Sequence, residues 1–246
     1  MEIISLGETL EIPRERLVTL VIGDIRFKIA CTPENLRELA IGFLISEGLV
    51  VEDRICVKVE GDVVNVKSAN LGCKLNPTAF KVRLSDLLGV LRPAEKLPTV
   101  SAGEKFTLEE CSNALEYLET EWYKRTRGYH TTALVGKNGV ISKAYDVGRY
   151  NAIDKAIGMG IEKHINFGRV FLLVSGRISE VMVAKCVRCS IPLLVSKAAI
   201  YDSAIRKCME TGLSAVSFAT GIAVKGEALL FDRGWASMGN RVGYYY

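Results

Sequence analysis

The sequence predicts an α/β protein: a larger sheet with helices on both faces, preceded by a smaller α+β part. Two observations carry that expectation. Val170-Phe-Leu-Leu-Val174 and Leu193-Leu-Val195 are unbroken apolar strands between helical stretches, the pattern of strands buried on both faces. In the first hundred residues, by contrast, two hairpin signals flank a single strong helix.

In chain order, Leu17-Val-Thr-Leu-Val-Ile22 and Ile25-Arg-Phe-Lys-Ile29 form a hairpin about Gly23-Asp24. Thr32-Pro33-Glu34 predicts a helix start, with threonine as the cap and proline in the first turn. Leu36, Leu39, Ala40, Phe43 and Leu44 supply its buried stripe, and Gly48 ends it. A second hairpin, Ile55 to Val59 and Val63 to Val66, turns at Gly61-Asp62. It leads into Ser68-Ala-Asn-Leu-Gly-Cys73-Lys74, a loop with one cysteine. Residues 92–106, with Pro93, Pro98, Ser101 and Gly103, read as a linker or mobile loop. Domains are therefore expected at 1–100 and 101–246. Thr107-Leu-Glu-Glu110 is a capping box opening a helix through Ala114, Leu115, Leu118 and Trp122. Strands then alternate with helices, which predicts a mostly parallel sheet. No internal repeat or low-complexity tract is read.

Composition excludes several classes. A net charge of +4, from 32 basic and 28 acidic residues, is too small to predict nucleic-acid binding, although an anionic ligand is compatible. No apolar run approaches the roughly 20 residues of a membrane span, and the N-terminus lacks a basic secretory flank. The 7 scattered cysteines predict reduced thiols in the cytoplasm rather than a disulfide framework.

The densest polar motif is Asp146-Val-Gly-Arg-Tyr-Asn-Ala-Ile-Asp-Lys155, placed where a strand hands over to a helix. It fits either a turn capped by Asp146 and Asn151 or one wall of a binding site. Two more polar segments follow strands: Ser175-Gly-Arg-Ile-Ser-Glu180 and Ser196-Lys-Ala-Ala199. Loops at the carboxyl ends of parallel strands gather on one edge, so these segments should converge. Arg149, Lys155, Arg177 and Lys197, with helix-start amides, would there suit phosphates, although no P-loop or dinucleotide fingerprint is present. His130, in Arg127-Gly-Tyr-His-Thr131, fits a ligand contact, a proton carrier or a structural histidine. Cys73 beside Lys74 is a candidate sulfur nucleophile, because a neighbouring cation lowers a thiol's pKa. Cys186-Val-Arg-Cys189 has metal or redox spacing but falls inside a predicted helix 179–189, and reads as buried small side chains.

Together these segments resemble the formate dehydrogenase accessory sulfurtransferase family, also called FdhD. The resemblance runs in order through Cys31-Thr-Pro-Glu-Asn-Leu36, Leu39-Ala-Ile-Gly-Phe-Leu-Ile-Ser-Glu-Gly48, Gly128-Tyr-His130 and the 146–155 motif. It continues through Val174-Ser-Gly-Arg-Ile-Ser-Glu180, Ile191-Pro-Leu-Leu-Val-Ser196 and Thr211 to Phe218. It implies a cytidine-deaminase-like three-layer α/β domain, a smaller N-terminal α+β domain and a homodimer. It also implies chemistry: persulfide sulfur moves from a cysteine desulfurase to a molybdenum or tungsten bis-pterin guanine dinucleotide cofactor, which formate dehydrogenase receives. No nucleic acid, membrane or resident metal is expected.

By the same resemblance Cys73 carries the sulfur, and Phe218-Ala219-Thr220-Gly221-Ile222-Ala223 would contact the guanine. Ser175, Arg177, Arg149, Lys155 and His130 would complete the cofactor site. The chain departs from the family pattern at Asn70-Leu-Gly-Cys73-Lys74, where members carry Cys-Gly-x-Cys-Gly. Tyr145 and Tyr150 replace a family glutamate and histidine, and a basic residue near Thr220 is missing. A non-catalytic cofactor chaperone is the alternative. A zinc deaminase would need His-x-Glu, whereas His130 precedes Thr131 and Thr132.

Overall fold

The computed structural model describes residues 10–50, 55–68 and 96–231, with residues 4 and 7. Cys73 and Lys74 lie outside the described residues.

The N-terminal part is a four-stranded sheet with one helix on its inner face. β1 (Arg16–Ile22) pairs antiparallel with β2 (Ile25–Cys31) through a turn at Gly23, whose φ of 58° suits a residue without a Cβ. β3 (Ile55–Glu60) and β4 (Val63–Ser68) form the second hairpin, and β4 lies parallel to β1, giving the order β2-β1-β4-β3. Alternate residues Val18, Leu20, Ile22, Phe27, Ile29, Val57, Val64 and Val66 face inward onto α1 (Leu36–Ser46). Each such side chain stabilises the fold by about 1.5–3 kcal/mol when fully buried. Helix α1 begins later than the sequence predicts. Asn35 holds its N-cap position in the left-handed region at φ 57°. Thr32 is drawn away from the cap, because its backbone and hydroxyl bond to the distant residues Asp146, Val147 and Lys155.

Residues 96–105 lie along the second part: Val100 N–H donates to Thr211 O at 2.9 Å, and Gly103 N–H to Gly168 O at 2.8 Å. β5 (Phe106–Thr107) leads into α2 (Leu108–Asn113) through the expected capping box, with Thr107 and Glu110 exchanging bonds of 2.7 and 3.1 Å. The long helix predicted beyond it is broken instead. A 3₁₀ turn covers Ala114–Leu118, and Thr120 caps a separate α3 (Glu121–Thr126) by accepting from the Tyr123 N–H.

The main sheet contains β6 (His130–Gly136), β7 (Gly139–Asp146), β8 (Phe171–Val174), β9 (Leu193–Ser196), β10 (Ser214–Ser217) and β11 (Ile222–Val224). Their order is β11-β10-β9-β8-β6-β7, and only the β8–β9 and β9–β10 pairs are parallel. The sheet is therefore mixed rather than mostly parallel. The tight Gly136–Gly139 turn reverses the chain, and β8 then pairs antiparallel with β6. A two-stranded pair of β5 and β12 (Leu229–Leu230) sits beside it.

Three layers result. Leu172 and Val174 face α4 (Arg149–Glu162), α5 (Glu180–Arg188) and α6 (Asp202–Thr211), whereas Phe171 and Leu173 face Phe106, Leu108, Cys111 and Leu118. Helix α1 crosses α4 with backbones touching: Gly42 lies against the Asp154 carbonyl and Gly158 against the Glu38 carbonyl. Among the described residues no helix is long and apolar enough to cross a membrane.

Candidate functional site at the strand-end loops

The three polar loops do converge at the carboxyl edge of the parallel strands. Ser196, ending β9, donates its hydroxyl to Gly176 O at 2.7 Å, and Ser217, ending β10, donates to Ala198 O at 2.7 Å. Ile178 bridges Ile200, and the Phe218 N–H donates to Ser196 O at 3.0 Å. The strand-end serines thus fasten each loop to the next.

His130 and Arg149 both reach this edge beside the loop after β8. His130 Nδ1 lies 3.2 Å from Ser175 Oγ, which also accepts the Thr131 N–H at 3.0 Å. Gly176 lies between them: a Cβ there would be 3.2 Å from Arg149 Cδ and 3.6 Å from His130 Nδ1. The Arg149 guanidinium stands 4.6 Å over the Tyr150 ring, and the Tyr150 hydroxyl is 2.9 Å from Ser179 Oγ. Gly148 occupies the N-cap of α4, and Arg149, the first residue of that helix, stands beside the same loop. Arg177 is exposed, 5.6 Å over the Tyr201 ring, and Lys197 is paired with Glu119 at 2.9 Å. Residues 218–221 form the turn from β10 into β11, whose first residues are Ile222 and Ala223, and a 2.6 Å contact between Ser217 Oγ and Thr220 Oγ1 closes it. Ala219, Thr220, Gly221 and Ala223 are exposed there, while Phe218 and Ile222 are partly buried. That turn stands two strand spacings, about 10 Å, from the loop after β8.

Lys155 does not join this edge. It is wholly buried, 2.6 Å from Asp146 and 2.8 Å from Thr32 O, on the side of α4 that meets the N-terminal part. The reason is spacing: Asn151, Asp154, Lys155 and Gly158 form one stripe of α4 at helical period, and that stripe faces α1 and its approach. Asp146 is equally occupied. It accepts from the Thr32, Gly148 and Asn151 N–H groups at 2.8–3.0 Å, and so shapes the turn before α4 rather than capping the helix by its first amides.

A second buried group, missed in the sequence, continues the seam. Lys185 of α5 pairs with Asp154 at 2.8 Å and Glu47 at 2.6 Å, and Arg188 pairs with Glu47 at 3.2 Å. Ser46 donates to Asp154 at 2.6 Å. Burial pushes the Asp154 carboxyl up to about 6, against the pull of Lys185. The two carboxylates facing Lys185 raise its pKa in spite of burial. Only the helical spacing of these charges could have signalled a buried seam.

The cysteines divide by burial. Cys31, Cys111, Cys186, Cys189 and Cys208 are buried, and Cys56 is exposed. Desolvation pushes the Cys31, Cys111, Cys189 and Cys208 thiols up to about 12 and Cys186 well above the usual range. Thiols held protonated in this way are poor nucleophiles. Cys186 and Cys189 lie in the core packed on α5, and among the described residues no group of His, Cys, Asp and Glu is placed to hold a metal ion.

These features define the class: a mixed three-layer α/β protein whose polar strand-end loops gather at one sheet edge beside a helix N-terminus. Residues 13–225 match the FdhD/NarQ family, and the chain belongs to that family. Sulfur carrier protein FdhD of Shouchella clausii is 29% identical over 228 residues, covering 84% of each chain. The Wolinella succinogenes protein of the same name is 30% identical over 225 residues, covering 87% of this chain and 79% of its own. A crystal structure of a formate dehydrogenase accessory protein from Desulfotalea psychrophila shares the fold, with a TM-score of 0.69 at 19% identity, covering 84% of each chain.

Proposed function

We propose that this chain is a sulfur carrier. It accepts persulfide sulfur from a cysteine desulfurase and passes it to a molybdenum or tungsten bis-pterin guanine dinucleotide cofactor destined for formate dehydrogenase. It does so in the cytoplasm as a homodimer. The observation that carries this reading is the meeting of His130, Ser175, Gly176 and Arg149 at one helix N-terminus, in a chain of the FdhD/NarQ family. The relatives named above are sulfur carriers.

The cofactor is cargo, and each group has a role toward it. Arg149, Arg177 and the amides opening α4 face the pyrophosphate. His130, oriented by Ser175, donates a hydrogen bond, and the 218–223 segment holds the guanine. Cys73 carries the sulfur, helped by the Lys74 charge. Its thiolate attacks the outer sulfur of the donor's persulfide, a new S–S bond forms, and the donor's thiolate leaves. The buried, protonated thiols elsewhere are unsuited to that attack.

Titration with guanosine diphosphate tests the cofactor site. Arg149→Ala and Ser175→Ala should each weaken binding about tenfold or more, the loss of roughly 1.4 kcal/mol. Affinities equal to wild type would reject the site. One sequence observation favours a second reading: the loop at Asn70-Leu-Gly-Cys73-Lys74 has no second cysteine. A chaperone without sulfur transfer would leave Cys73→Ala able to mature formate dehydrogenase in a complementation assay.

A further inference from the structure

The outward face of the four-stranded sheet is made by alternate residues of its strands, and the register fixes them as a grid. Lys28, Thr19, Val63 and Glu60 form one row, Arg26, Val21, Asn65 and Lys58 the next, and Lys67 with Cys56 the last. Among the described residues, the outward positions of the strands carry four exposed cations, Arg26, Lys28, Lys58 and Lys67, and one carboxylate, Glu60, which pairs with Lys58 at 2.7 Å. Exposed Leu17 and Val63 add apolar area among them. The opposite face of this sheet is filled by α1, whereas here the apolar and basic side chains stand in solvent.

We propose that this face docks an acidic surface of the protein that donates persulfide sulfur, an assignment that rests on the sulfur-carrier reading. Three observations select that occupant. The four cations against one carboxylate call for a partner of negative charge. The like charge of a second copy opposes self-association across the same face. Arg26, Lys58 and Lys67 stand in the two rows nearest the end of β4, and the chain reaches Cys73 shortly after that end. The five residues that follow Ser68, ending at Cys73, span at most about 18 Å, so a donor held there is within chain reach of the carrier cysteine. Lysines on edge strands also deter strand pairing, but Lys67 stands on β4, an interior strand.

The test is binding of the full-length chain to a purified cysteine desulfurase, followed by association kinetics at several salt concentrations. The variants are Arg26→Glu/Lys28→Glu/Lys67→Glu and its glutamine counterpart, each checked for an unchanged melting transition. Electrostatic docking predicts association slower by about tenfold or more for the glutamate variant, a smaller loss for the glutamine variant, and a weaker salt dependence in both. Wild-type kinetics in the glutamate variant would overturn the proposal. So would a wild-type chain that ignores the desulfurase and binds heparin or RNA instead. Because binding is read without sulfur transfer, a chain that docks but takes up no labelled sulfur contradicts the sulfur-carrier reading and leaves the docking face supported.

Discussion

Lys155 places its ammonium 2.6 Å from the Asp146 carboxylate, with both side chains wholly out of solvent. The pair joins the two parts of the molecule, since Asp146 also accepts from the Thr32 backbone and Lys155 donates to the Thr32 carbonyl. Asp146 and Lys155, which looked ligand-facing, therefore form a structural clasp. It holds the turn from β7 into α4, and so fixes where Arg149 begins the helix.

Removing one partner of that clasp strands the other charge in the interior. Lys155→Met should destabilise the fold by about 3–5 kcal/mol, because an unpaired buried carboxylate remains. Equilibrium urea denaturation measures it. A change under about 1 kcal/mol, the size expected for an exposed pair, would contradict the buried geometry.

Asp154 predicts a pH dependence of stability. Its folded carboxyl is raised from 3.8 to about 6, so protonation favours the folded state. That contribution is full below about pH 4 and is lost as pH rises through 6. Relative to Asp154→Asn, the wild type should lose stability across this window, by at most about 1.4 kcal/mol per pH unit. Urea midpoints for both proteins between pH 4 and 7 supply the comparison, and parallel curves would contradict it.

The helix crossing gives a steric prediction. In an open helix, Gly→Ala gains roughly 1 kcal/mol from propensity. At Gly42 and Gly158 the new methyl would meet the Asp154 and Glu38 carbonyls, backbone that cannot swing aside. Overpacking of about 1–3 kcal/mol or more should win, so either alanine variant lowers the melting temperature. A rise in melting temperature would show that α1 and α4 do not touch.

Thiol reactivity should follow burial. In Cys73→Ala, Cys56 should react rapidly with an aromatic disulfide reagent, because it is exposed. Cys31, Cys111, Cys186, Cys189 and Cys208 should react only on unfolding. Rapid reaction of Cys186 or Cys189 in the native protein would place that pair outside the core.

Much of this arrangement was legible in the sequence, and the exceptions have physical causes. Both N-terminal hairpins and the Thr107 capping box were readable, because turn glycines and caps act over a few residues. The convergence of the loops after β8 and β9 followed from strand direction alone, whereas of the 146–155 motif Arg149 reaches them and Lys155 does not. One repeated signal went unread. Val-Ser recurs at 174–175, 195–196 and 216–217, and those serines tie the loops together. Strand direction near β6 was not legible, since a hairpin and a return strand can enter a sheet on either edge. Nor was the orientation of Lys155, which depends on the face that α4 turns toward α1. Composition cannot show that a polar stripe at helical spacing is buried until the glycines that admit a neighbouring helix are located.

The measurement that bears most directly on the account is the intact mass of the full-length protein after incubation with cysteine and a cysteine desulfurase. Wild type should gain the mass of one sulfur atom, reversed by a thiol reductant, and Cys73→Ala should gain none. Equal, reductant-sensitive gain in both proteins would contradict Cys73 as the carrier, and no gain in either would contradict sulfur transfer by this chain.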